Sequence, residues 1–242
     1  MLSRESLEKF TKLRQTDIDN VAREYCQNLF LSLLYQQAEA EKLLFKGGTA
    51  LRVILKSPRF SEDLDFTGSG ILQKTIEELF AQTLSEIEKT GIKVDITEAK
   101  KTTGGYLGIA TFFLYNLKIK IQIEVSLRNE KRLKGIRTLI QSDYLPAYTL
   151  VHLPIEDIIR GKLAALFSRK KPRDFYDYYF LLAGNHPAVK ETKNLEKVME
   201  LLRDSQINFR TELKKLLPVS HQMILKDFKK ILTQEIKKYL PC

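Results

Sequence analysis

Between Lys118 and Leu127 the chain alternates without a break, with Ile119, Ile121, Ile123 and Val125 interleaved by Lys120, Gln122, Glu124 and Ser126. A period of two belongs to a strand, and apolar residues on one side alone require a sheet with one covered and one open face. Two further strands lead into it, Ile92 to Thr97 and, after the turn Thr102-Thr103-Gly104-Gly105, Tyr106 to Tyr115, with a tight turn at Asn116. These three form a meander. Upstream, residues 3–14, Asp17 to Gln37 and Leu72 to Thr90 have helical periodicity, the last stopped by Gly91, and Asp63 to Thr67 reads as an earlier strand. Beyond Pro154 every segment reads helical: Ile155 to Ser168, Pro172 to Leu182, Leu195 to Leu202, and Ser220 to Tyr239 with breaks. The order predicts an α+β chain, with a mixed sheet and its helices in residues 1–150 and a helical part in residues 151–242. Residues 128–150 are mixed and basic, and the segment bracketed by Pro146 and Pro154 reads as the hinge into the second part.

With 242 residues, 43% of them hydrophobic, the chain has enough material to bury a core unaided. Its two cysteines, Cys26 and Cys242, have neither metal-ligand spacing nor the density of a disulfide framework, which fits a reducing, cytoplasmic setting. The N-terminus lacks a signal-peptide pattern, and no apolar run reaches the roughly 18 residues of a membrane span, so no membrane partner is expected. A formal charge of +10 favours a polyanionic partner such as nucleic acid, although a solvated basic surface has the same composition.

The chemistry concentrates in Phe45-Lys46-Gly47-Gly48-Thr49-Ala50-Leu51 and Arg59-Phe60-Ser61-Glu62-Asp63-Leu64-Asp65-Phe66. A glycine pair opens a short helix, Thr49 to Lys56. Glycine lets the backbone approach a ligand closely, and the free N–H groups of a helix start favour a phosphate; a plain turn uses the same residues. The P-loop pattern is absent, and Gly68-Ser69-Gly70 lacks the third glycine of a dinucleotide fingerprint. On the following strand Leu64 and Phe66 face the core while Asp63 and Asp65 share the other face, roughly 6–7 Å apart at the backbone, a spacing at which like charges repel unless a cation lies between them. Magnesium suits such oxygen ligands and completes its shell with substrate phosphates. Glu124 is the third carboxylate, preferred over Asp95 because its strand is longer and alternates more strictly. Three carboxylates on neighbouring strands can hold two metal ions for in-line displacement at phosphorus. Farther on, Lys162 falls inside the apolar stripe of Ile158, Ile159, Leu163 and Leu166, so it either snorkels outward or reaches an anion. Asp174 and Asp177 share a helix face, either in a surface ion network with Arg173 or as one wall of a cleft.

As an ordered set, Lys46 to Leu51, Arg59, Ser61 to Phe66, Ile123-Glu124-Val125, Lys162 and Arg173-Asp174-Phe175-Tyr176-Asp177 resemble the AbiEii/AbiGii toxin family of nucleotidyltransferases, over roughly Leu43 to Leu182. The resemblance implies a core like that of DNA polymerase beta followed by a helical C-terminal part, and a toxin paired with an antitoxin. It also implies transfer of a nucleoside monophosphate from a nucleoside triphosphate to an acceptor hydroxyl on RNA, namely transfer RNA, with two magnesium ions. Carried over residue by residue, it makes Gly47, Gly48 and Thr49 the triphosphate turn, with Lys46, Arg59 and Ser61 beside the nucleotide. Asp63, Asp65 and Glu124 become metal ligands, Glu124 also a general base, with glutamate where the wider superfamily usually has aspartate. Lys162 is expected to meet phosphates, and Asp174 and Asp177 belong to the last motif. The site is expected in the cleft between the two parts. Candidate RNA contacts are Lys100, Lys101, Lys131, Arg132, Lys134, Lys170 and Lys171. The alternatives are a non-catalytic RNA- or partner-binding module and a phosphotransferase acting on a protein.

Overall fold

The computed structural model describes residues 1–127, 133–204 and 206–240; Lys131, Arg132 and Cys242 lie outside the described residues. The chain forms two compact units, one of residues 1–56 and 60–154, the other of residues 57–59 and those from Ile155 onward.

In the first unit the elements run α1 (Arg4–Arg14), α2 (Ile18–Leu34), β1 (Leu43–Lys46), α3 (Gly47–Leu55), β2 (Leu64–Gly68), α4 (Gln73–Lys89), β3 (Lys93–Thr102), β4 (Gly105–Leu114), β5 (Leu117–Ser126), β6 (Ile136–Ile140) and β7 (Tyr148–His152). Among the described residues seven strands make one mixed sheet in the order β3-β4-β5-β2-β1-β7-β6. The predicted meander is its β3-β4-β5 half, and β2 joins that half by pairing parallel with β5. The first meander strand runs on to Thr102, past the expected end at Thr97, across a register shift between Ile96 and Glu98. β1 binds β2 antiparallel and β7 parallel, which puts a four-residue strand in the interior of the sheet. The segment between Pro146 and Pro154 is not simply a hinge, because it contains β7, and the basic stretch before it contains β6.

The covered face is built as the alternation demands. Ile119, Ile121, Ile123 and Val125 are all at most 2% exposed, and α2 and α4 pack over this side of the sheet. A chain of rings, Phe45, Phe66, Phe80 and Phe30, links strands to helices at centroid separations of 5.4, 6.3 and 5.6 Å. On the other face Lys118, Lys120 and Glu124 are exposed. One buried polar group anchors α3: Glu24 of α2 accepts from Arg52 at 2.7 and 3.3 Å and from the Tyr144 hydroxyl at 2.7 Å. Burial raises the Glu24 carboxyl, but the Arg52 charge and hydrogen bond outweigh it and hold the group ionised.

The second unit contains α5 (Ile155–Arg169), α6 (Pro172–Ala183), α7 (Thr192–Asp204), α8 (Phe209–Leu216) and α9 (Phe228–Lys237). Its core gathers Phe175, Tyr176, Phe209 and Phe228, with Phe209 4.9 Å and Tyr176 6.0 Å from the Phe228 ring. The expected helices are present, and α8 is an addition. Among the described residues no helix is long and apolar enough to cross a membrane.

Candidate functional site

Strand pairing assembles one polar row across the open face of the first unit. Lys46 on β1 is the register partner of Asp65 on β2, Asp65 of Glu124 on β5, Glu124 of Leu107 on β4, and Leu107 of Lys100 on β3. Partners in register point to the same side of a sheet, so residues 19 and 59 positions apart in sequence become neighbours. The two candidate third carboxylates fall in different places. Glu124 stands beside Asp65, whereas Asp95 lies on the outer strand β3, 3.6 Å from Lys93. The row borders a cavity of about 340 Å³, lined also by Thr102, Gly104, Tyr106 and Ser126.

α3 begins directly at this row. Gly47 has φ +86°, and a Cβ there would fall 2.0 Å from Oδ2 of Asp65, so only glycine lets the carboxylate lie this close to the helix start. The first N–H groups of a helix have no intrahelical acceptor, which makes this end a favourable seat for negative charge. Thr49 is buried, and its hydroxyl donates to the Asp63 carbonyl, pinning the glycine turn to the carboxylate strand. β2 begins at Leu64, so Asp63 lies one residue before the strand, two residues from Asp65. Ser61 is fixed through its carbonyl, which accepts from the buried Gln27 amide at 3.0 Å. Glu124 is oriented by Gln122, whose Nε2 donates to Oε1 at 2.6 Å.

Among the described residues no three His, Cys, Asp or Glu side chains converge tightly enough to enclose a metal ion. The carboxylates Asp63 and Asp65 nevertheless fit magnesium, which takes one or two protein carboxylates and draws its other ligands from phosphates and water.

The remaining predicted residues gather in the second unit. Arg59 donates to Asp177 through Nε at 2.7 Å and Nη2 at 2.9 Å, and Lys162 Nζ lies 2.8 Å from the same carboxylate. Arg59 and Asp177 are 3% and 1% exposed, so this is a buried triad rather than a surface network. Lys162 does not snorkel; its anion is Asp177. Asp174, equally buried, accepts from the Lys171 N–H at 3.3 Å at the start of α6 and from Arg169 at 2.6 Å. Arg173 turns to Glu212 at 3.2 Å. Of the basic RNA candidates, Lys101, Lys134, Lys170 and Lys171 are exposed, and Lys100 pairs with Glu98. Sequence reasoning missed Gln122, Tyr106, Thr102 and Ser126. For Gln122 the signal was present, two residues before Glu124 on the same polar face.

A family model described as nucleotidyl transferase AbiEii toxin, type IV toxin–antitoxin system, matches residues 29–240. Two solved structures share the fold. One is a provisionally assigned nucleotidyltransferase from H. pylori, 17% identical with a TM-score of 0.56, each chain covered over 100% of its length. The other is JHP933 from Helicobacter pylori, 18% identical with a TM-score of 0.57, covering 92% of this chain and 95% of that one. No curated protein matches the chain.

Proposed function

Because the chain belongs to the nucleotidyl transferase AbiEii toxin family of type IV toxin–antitoxin systems, we propose that it transfers a nucleoside monophosphate from a nucleoside triphosphate to a hydroxyl of RNA, specifically transfer RNA. The observation that carries this reading is the row Lys46–Asp65–Glu124 with the Gly47 backbone against it, bordering a cavity of about 340 Å³. Phosphate is drawn to the start of α3 and to Lys46, anion next to N–H groups and ammonium. Asp63 and Asp65 are the residues that would hold magnesium, which when bound neutralises charge building up on the phosphate oxygens. Glu124 accepts the proton of the attacking hydroxyl, held in orientation by Gln122. The acceptor oxygen forms its bond to the α-phosphorus as the bond to the β-phosphate oxygen breaks, and pyrophosphate leaves.

In the second unit Asp177 is a positioning residue. It fixes Lys162 and Arg59, cations of the kind that neutralise nucleotide phosphates, and Asp174 holds the start of α6. The antitoxin that the family implies is a protein partner of this same toxin.

The reading is tested by incubating the protein with each nucleoside triphosphate, magnesium and total RNA, then weighing the RNA products. One nucleotide should add a single monophosphate residue to a transfer RNA, with one pyrophosphate released per addition. Unchanged RNA with all four nucleotides, or a phosphate added to protein instead, overturns it.

A further inference from the structure

The open face of the sheet continues past the carboxylate row. From Glu124 back towards the start of β5 it carries Gln122, Lys120 and Lys118, at a two-residue repeat of about 6.6 Å. The last rung is Lys93–Phe113–Lys118, three register partners on β3, β4 and β5. Phe113 is half-buried, with Lys93 Nζ 5.3 Å and Lys118 Nζ 6.0 Å from its ring centroid. Lys118 and Lys120 are exposed and, among the described residues, neither forms an ion pair, whereas Lys93 is shared with Asp95 at 3.6 Å. The cavity beside the carboxylate row lies towards Ser126 and Gly104, the opposite direction along β5.

We infer that this strip holds the single-stranded end of the acceptor RNA, a base stacking on Phe113 and successive phosphates meeting Lys118 and Lys120. The inference rests on the nucleotidyl-transfer reading. In-line displacement brings the acceptor oxygen to the phosphorus opposite the leaving pyrophosphate, so nucleotide and acceptor must reach the carboxylates from opposite sides. Cavity and strip meet that requirement. An aromatic ring among lysines on an open sheet is also the chemistry of single-strand binding, where bases stack and phosphates are tracked by charge. A protein partner would instead call for an apolar, charge-depleted centre.

The test is the affinity of the full chain for a short labelled single-stranded RNA, by fluorescence anisotropy over a range of salt, without nucleotide or metal. Lys118→Ala/Lys120→Ala should weaken binding and reduce the log–log salt slope by about 1.4, two single-strand phosphate contacts at about 0.7 each. Phe113→Ala should weaken binding about tenfold with the slope unchanged. The control Lys9→Ala/Lys12→Ala, exposed positions on α1, should leave both quantities as in the wild type. Wild-type affinity in the strip variants, or an equal loss in the control, overturns the inference. So does a lysine-pair variant that keeps RNA but loses the antitoxin. Strip-dependent RNA binding without any transfer would sink the nucleotidyl-transfer reading alone; transfer with strip-independent binding would sink the strip alone.

Discussion

Asp177 is a carboxylate at 1% exposure that holds two cations at once. Burial alone would raise its pKa, but the charges of Arg59 and Lys162 outweigh burial and bring it to about 2, below the ordinary 3.8. A folded value below the unfolded one means that the group's stabilisation is complete above about pH 4 and is lost as pH falls towards 2, about 2 kcal/mol in all. Thermal unfolding followed from pH 7 down to pH 2 should therefore show an acid-sensitive loss that flattens in Asp177→Asn. At pH 7 Asp177→Ala should destabilise the protein by roughly 3–5 kcal/mol, since two buried cations lose their anion; a loss well under that would mean water reaches the triad. Gly47 sets a second expectation. Gly47→Ala forces a Cβ onto Oδ2 of Asp65 at φ +86°, so transfer activity should fall by more than tenfold while thermal stability drops by about 2 kcal/mol. At this scale the anomaly of Lys162 was legible, a lysine within an apolar stripe. Its link to Arg59 was not, because Arg59 and Asp177 lie 118 positions apart.

Single strands and helices divide by how much of their environment is local. β5 was readable because every second side chain is buried. β1 was not, since Leu43, Leu44 and Phe45 are all buried and a four-residue strand covered on both faces has no period to detect. β6 and β7 are short and separated by Pro146, β6 in a stretch that reads only as mixed and basic and β7 between the two prolines that read as bracketing a hinge. The glycine turn was recognisable as the start of a helix, but its attachment to the carboxylate strand through Thr49 depends on tertiary contact. That attachment predicts a graded series: Thr49→Ser keeps the hydroxyl and near-normal activity, whereas Thr49→Val should cost about 1 kcal/mol and raise the KM for nucleotide by displacing the turn. Equal kinetics for the two variants would separate the turn from the site.

For the whole chain, the order of elements sufficed for an α+β fold with a helical second half, and the seven-stranded mixed sheet and the two solved neighbours agree with it. The carboxylate row was only partly visible, because alternation says which side of a strand a residue faces but not which strands are neighbours. The parallel pairing of β2 with β5 is what brings Asp65 beside Glu124. The charge of +10 has the same character: a total that implies polyanions but not where they bind. If Asp63 and Asp65 serve chemistry rather than folding, transfer of label from α-labelled nucleoside triphosphates to RNA by the wild type, Asp63→Asn and Asp65→Asn will separate them from the rest of the chain. The wild type should label RNA with at least one nucleotide, and both amide variants should lose at least a hundredfold of that rate while melting within a few degrees of the wild type. Undiminished transfer by either amide variant would contradict a catalytic role for that carboxylate.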